Sequence, residues 1–169
     1  MSETLFYKRS TFVTRLPVGH LYTPSHSWLS AVGPGRWRVG FTKFALRMLG
    51  ELVDVRFEAS LDLPVRPGDI LGSIEGFKAV SDLYCVGTGR FITGNPALGS
   101  DLEPISRDPY VAGWLYEFEG EPDPRSLNVS AYQGLLDETI DRMLAKQQAE
   151  DDSGSPGESD AAGENNSPP

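Results

Sequence analysis

A chain of 169 residues with a formal net charge of −9 has room for one ordinary domain and not comfortably for two. Most of the acidity is terminal: Gln147–Pro169 holds six acids and no Lys or Arg, which leaves 15 basic against 18 acidic residues, a net charge of −3, in the rest. That body offers no basic footprint for nucleic-acid phosphates, its single cysteine excludes an intrachain disulfide, and no apolar run approaches the roughly 20 residues of a membrane span.

Residues 1–20 read as an extended, basic arm that lacks the apolar centre of a secretory signal. Structure is expected from Leu21 onward. His26–Val32 alternates around Trp28, Ser30 and Val32, Gly33-Pro34-Gly35 breaks it, and Arg36–Phe41 alternates again, which predicts a hairpin. Thr42 is suited to cap a short helix, Lys43–Leu49, with Ala45, Met48 and Leu49 on one face and Gly50 as its stop. Leu52–Ala59 returns to period two, with Val53, Val55 and Phe57 on one side.

Pro67-Gly68-Asp69 is a turn before a short strand, Ile70–Ile74, and a tight connection through Gly76-Phe77-Lys78-Ala79 leads into Val80–Val86. Gly87-Thr88-Gly89 reads as another turn, Arg90–Thr93 as a strand, and Asn95–Asp108 as a loop with one helical turn. Trp114, Tyr116 and Phe118 alternate in a last strand and are expected in the core. Ser130 opens a long helix carrying Tyr132, Leu135, Leu136, Ile140, Met143 and Leu144 at three-and-four spacing. From Gln147 the composition is too polar to repay its ordering entropy, so residues 147–169 are expected to be a disordered acidic tail. The whole is mainly β, a sandwich or small barrel of short strands, with a domain over residues 21–146 and a cytoplasmic setting as the expectation.

A conventional active site is hard to find. His20 and His26 are the only histidines, no Cys/His spacing builds a zinc site, and no phosphate-cradling glycine loop or nucleophile elbow is present. Such poverty points to a carrier or binding module and away from a free-standing enzyme, with no nucleic-acid or membrane partner. The distinctive feature is a lysine in the turn of Ile74-Glu75-Gly76-Phe77-Lys78-Ala79-Val80-Ser81-Asp82-Leu83-Tyr84. A hairpin turn lifts its central side chain into solvent, where an enzyme could grip and acylate it, and acylation turns the charged amine into a long neutral tether.

This segment resembles the lipoyl-attachment site of glycine cleavage H proteins, where a Glu three residues before the lysine and Lys-Ala-Val-Ser-Asp-Leu-Tyr after it recur. The likeness continues in order through Leu21-Tyr22-Thr23 to His26-Ser27-Trp28, Val39-Gly40-Phe41-Thr42, Leu49-Gly50-Glu51-Leu52-Val53, Asn95-Pro96-Ala97-Leu98 and Asp108-Pro109-Tyr110 with Gly113-Trp114-Leu115. It implies a flattened barrel-sandwich hybrid of two antiparallel sheets, with a short helix, a C-terminal helix, and lipoate held covalently on Lys78 at a hairpin tip. Glu75 and Asp82 are expected to help the lipoyl-attaching enzyme recognise the site. In that family the lipoyl arm takes an aminomethyl group from glycine decarboxylase, presents it to the aminomethyltransferase, and is reoxidised by dihydrolipoamide dehydrogenase. Tethering keeps the cargo at high effective concentration.

Departures from the family pattern keep other readings open. Ser27 stands where Glu is usual, Gly76-Phe77 where Ser-Val is common, and Cys85-Val86-Gly87-Thr88-Gly89 where Ala-Pro-Val-Ser-Gly is usual. A lipoate-binding carrier of a heterodisulfide-reductase-like sulfur-oxidation pathway would fit, as would a paralogue that only binds partners. Cys85 reads either as a small buried hydrophobe or as a thiol able to exchange with the dithiolane. His26 reads as a hydrogen-bonded structural residue, and the basic N-terminal arm as a docking segment or a frayed end.

Overall fold

A computed structural model describes residues 3–154. Residues 4–17, expected as a featureless extended arm, pair with each other: β1 (Thr4–Arg9) and β2 (Phe12–Pro17) run antiparallel from Thr4↔Pro17 to Arg9↔Phe12. Their alternation places Tyr7, Phe12, Thr14 and Leu16 on a buried face. The two-residue turn Ser10-Thr11 carries none of the Gly or Asn that usually announce a hairpin, and Ser10 takes the positive φ itself, at 55°.

The next elements follow the sequence closely. β3 (Leu21–Tyr22), β4 (Ser27–Gly33) and β5 (Arg36–Phe41) form consecutive antiparallel pairs. Helix α1 spans Lys43–Leu49, capped by Thr42, whose hydroxyl accepts from the Ala45 N–H, and stopped at Gly50 with φ 78°. The buried face of α1 is Phe44 and Leu49, however, and Met48 is exposed. β6 (Leu52–Phe57) has a register shift between Leu52 and Asp54, so Leu52, Val55 and Phe57 pack on the core while Val53 points outward.

β7 (Pro64–Val65), β8 (Ile70–Gly76), β9 (Val80–Tyr84) and β10 (Gly87–Gly94) follow. Gly87-Thr88-Gly89, expected as a turn, lies within β10, paired with the distal end of β11 (Tyr116–Pro122). The loop between β10 and β11 holds a 3-10 turn, Pro96–Gly99, and a short helix α2, Glu103–Arg107.

A six-stranded sheet ordered β3-β4-β5-β11-β10-β7 and a three-stranded sheet ordered β6-β8-β9 complete the architecture, with β1-β2 as a separate pair. The two larger sheets share one core, to which Leu29, Val39, Phe91, Tyr116 and Phe118 come from the first, and Leu71, Ile74 and Leu83 from the second. This is the expected sandwich, without a closed barrel. Trp114, Tyr116 and Phe118 are all buried, as their alternation predicted. Asn95 is buried too: its amide donates to the Trp114 and Ala112 carbonyls and its oxygen accepts from the Ala97 N–H, which fixes the loop after β10.

Two compact units divide at Gln133 and Gly134. Helix α3 runs from Val129 to Gly154, past the expected end at Lys146. The stretch Lys146-Gln147-Gln148-Ala149-Glu150 is polar, but it consists of strong helix formers, and local propensity carries the helix onward. The remainder of the expected disordered tail, residues 155–169, lies outside the described residues. No helix among the described residues is long and apolar enough to cross a membrane.

Candidate functional site

Lys78 sits at the tip of the β8–β9 hairpin, between Gly76 and Val80. The tip is exposed: Phe77 is 76% and Val80 69% accessible. It is also fixed. The Gly76 N–H donates to the Ala79 carbonyl across the turn at 2.9 Å. The Phe77 N–H then donates to the Glu51 carbonyl, and the Lys78 N–H to the Leu49 carbonyl, both at 2.9 Å. The Lys78 ammonium donates to the Arg47 carbonyl at 3.2 Å. The last turn of a helix leaves carbonyls without intrahelical partners, and a cation there is favoured by the helix dipole. Here the hairpin tip supplies both.

Two glycines make that seat possible. Gly50 takes the left-handed φ that ends α1, and a Cβ there would stand 2.9 Å from Lys78 Cγ. Gly76 approaches α1 so closely that a Cβ would collide with the Leu49 carbonyl. The stem of the lysine therefore lies on bare backbone. None of this contact with residues 47–51 is legible in the sequence, although Leu49-Gly50-Glu51 is part of the resemblance.

Glu75 and Asp82 come together on the outward face of the three-stranded sheet. Glu75 pairs with Val80, Ser73 with Asp82, and β6 adds Asp54 opposite Glu75 and Arg56 opposite Ser73. Both Glu75 and Asp82 are exposed. Arg56 bonds Asp54 at 2.6 Å, and its pKa is raised by that hydrogen bond and charge, with a smaller contribution from Glu75. Directly below the tip, then, lies a patch of three carboxylates, Asp54, Glu75 and Asp82, with Arg56 held by Asp54 and the Tyr84 hydroxyl donating to Asp82.

Cys85 belongs elsewhere. It is buried just beyond the base of the hairpin, at the opposite end of β9 from Lys78, and its thiol donates to the Gly87 carbonyl at 3.3 Å. Seven residues of extended chain separate it from the lysine, roughly 20 Å of strand. Burial pushes its pKa up to about 11, so it stays a protonated thiol at neutral pH. This is the environment of a small core side chain, and not that of a thiol poised for exchange.

The histidines brace the scaffold. His26 Nδ1 bonds the Tyr132 hydroxyl at 2.9 Å, the same hydroxyl meets Thr42 Oγ1 at 2.9 Å, and the His26 ring packs 4.6 Å from Phe44. Burial lowers the His26 pKa to about 4. This network holds the N-terminal end of α1, whose other end carries the lysine tip. His20 Nε2 contacts the Tyr110 carbonyl at 3.1 Å, and burial lowers its pKa as well.

A surface cleft of about 630 Å³ opens beside Lys78. Phe12, Val13, Leu46, Leu52 and Leu102 give it apolar walls, while Glu51 and Glu103 add acids and Lys43 and Arg47 add cations. A neutral tether rooted on Lys78 has apolar surface within immediate reach. Among the described residues no group of three or more His, Cys, Asp or Glu side chains is placed to hold a metal ion.

Comparison with known proteins gives the family. The family model for the glycine cleavage H-protein matches residues 20–140. A glycine cleavage system H protein from Photorhabdus laumondii is 34% identical over 134 residues, covering 75% of this chain and 98% of that protein. One from Listeria monocytogenes is 38% identical over 125 residues, covering 72% and 98%. The crystal structure of a glycine cleavage system H protein from Mycobacterium marinum superposes with a TM-score of 0.63 at 35% identity, covering 70% of this chain and 97% of that one. With its sandwich, its displayed lysine and a match over most of its length, the chain belongs to the glycine cleavage H-protein family.

Proposed function

We propose that Lys78 is the lipoyl-attachment residue and that the protein is a carrier in glycine cleavage, not itself a catalyst. The observation that carries this is a lysine held by its own backbone on the end of α1 while its amine stays exposed. Bound there, lipoate would supply a dithiolane able to take the aminomethyl group from glycine decarboxylase to the aminomethyltransferase and to be reoxidised by dihydrolipoamide dehydrogenase.

The chain's own part is positional. Nζ must lose its proton before it is acylated, and the Arg47 carbonyl on which it rests accepts a hydrogen bond without competing for that proton. The backbone bonds to Leu49 and Glu51 keep the tip in one place, so an attaching enzyme meets a preorganised target. Glu75 and Asp82, with Asp54 beside them, present the negative charge that orients that enzyme. Once acylated, the side chain is neutral and no longer favoured at the helix end, which frees the arm to reach its partners. The relatives are named as glycine cleavage proteins, which supports one-carbon cargo over sulfur.

Glycine–bicarbonate exchange with glycine decarboxylase tests the reading. The lipoylated protein should support exchange and Lys78→Arg should not. Equal exchange by the two would overturn the assignment of Lys78, and a fully lipoylated wild type that supports none would return the sulfur reading.

A further inference from the structure

Beyond the cleft wall made by Phe12 and Val13, carriage by Lys78 makes no use of the β1–β2 hairpin, and residues 4–17 lie wholly outside the stretch 20–140 matched by the family. Yet the hairpin is firmly seated. Phe12 meets Phe44 edge-on at 5.5 Å, Thr14 Oγ1 bonds the Tyr110 hydroxyl at 3.0 Å, and Arg47 donates through Nη2 to Thr11 Oγ1 at 3.1 Å. Arg47 thereby joins both hairpins: its side chain holds the first turn and its carbonyl receives the Lys78 ammonium.

Among the described residues, the opposite face of this hairpin shows no such contact to the rest of the fold. Register places Phe6 across from Arg15 and Lys8 across from Val13, so these four share the outward surface. Phe6 is 53% exposed, with the Arg15 guanidinium 5.4 Å from its ring centre. The charged residues on this face, Lys8 and Arg15, are both basic, in a chain whose net charge is −9. Val13 also lines the cleft that contains Lys78, so the surface is continuous with the root of the arm. An exposed aromatic side chain stacked with arginine, with a second cation on the same face, is the composition of an interface hot spot.

We propose that the outward face of β1–β2, centred on Phe6, Lys8 and Arg15, is a second docking element that binds an acidic protein surface beside the active-site entrance of an enzyme serving the Lys78 arm. It rests on the reading of Lys78 as the attachment residue. Charge selects the partner: a basic patch steers an otherwise acidic carrier so that the arm arrives first.

The test uses full-length protein whose lipoylation on Lys78 has been verified by mass, so failure of attachment is seen separately from failure of docking. The Michaelis constant for the carrier is measured with its cognate glycine decarboxylase, aminomethyltransferase and dihydrolipoamide dehydrogenase. For at least one enzyme, Lys8→Glu/Arg15→Glu should raise KM about tenfold with kcat unchanged, a size typical of rim charges and hot-spot edges. Added salt should raise the wild-type KM and, by screening the repulsion the new glutamates introduce, lower the variant's, so that the two converge. Phe6→Ser, which reverses no charge, should raise KM for the same enzyme. Unchanged KM for all three enzymes in both variants would overturn the proposal. So would wild-type co-sedimentation with phosphatidylcholine/phosphatidylglycerol vesicles that the variants lose, since the patch would then serve a membrane.

Discussion

The two hairpins of this protein meet the same helix in opposite ways. β8–β9 buries Leu71, Ile74 and Leu83 and offers its tip, whereas β1–β2 buries Tyr7, Phe12, Thr14 and Leu16 and offers its outward face. Both reach Arg47 at the end of α1. The first lies within the stretch that the family model matches and displays Lys78; the second lies before it. The difference teaches that a displayed side chain needs a rigid foot: Lys78 is exposed because its backbone is hydrogen-bonded, not because its loop is loose.

The largest effect should come from the tip itself. Lys78→Arg keeps a cation at the helix end but cannot be deprotonated for acylation, so exchange activity should vanish while the unfolding midpoint stays put. A loss of stability in that variant would mean the lysine does more for the fold than this comparison allows.

Next comes the seat of the tip. Gly76→Ala places a Cβ against the Leu49 carbonyl, and chemical denaturation should register a loss of about 2–3 kcal/mol, within the range for overpacking. Lipoylation should slow in parallel, because the tip must lift from α1. An alanine variant with wild-type stability and lipoylation rate would show that the contact is not needed.

Acid titration probes the opposite end of α1. The His26 pKa is depressed in the folded protein to about 4 from its ordinary 6.5, so the unfolded chain binds the proton first. Stability attributable to this residue is full above pH 6.5 and is lost as the pH falls towards 4, by on the order of 2 kcal/mol. Denaturation curves across that window should flatten in His26→Gln, and identical pH dependence in variant and wild type would remove His26 as the cause. The smallest effect is expected from Thr42→Ala, which deletes the α1 cap and a partner of Tyr132, at about 1 kcal/mol.

Much of the scaffold could be read from the chain. The limits of α1 follow from Thr42, whose hydroxyl caps its first turn, and Gly50, whose positive φ ends it, and the β4–β5 pair follows from two alternating runs around Pro34 and Gly35. What escaped depends on partners distant in sequence. Ser10-Thr11 turns without a turn signature, Val53 is turned outward by a register shift set by β8, and Phe44, not Met48, faces inward because His26 and Phe12 are there to receive it. Local letters single out the lysine, but its contacts with residues 47 and 49, and that of neighbouring Phe77 with residue 51, arise only in the folded chain.

Peptide mass spectrometry of protein co-expressed with a lipoylation pathway bears most directly on the whole account. One lipoyl group should appear on the peptide that contains Lys78, and none on any other lysine. An unmodified Lys78 under conditions that lipoylate a control carrier, or a lipoyl group on a different residue, would contradict it.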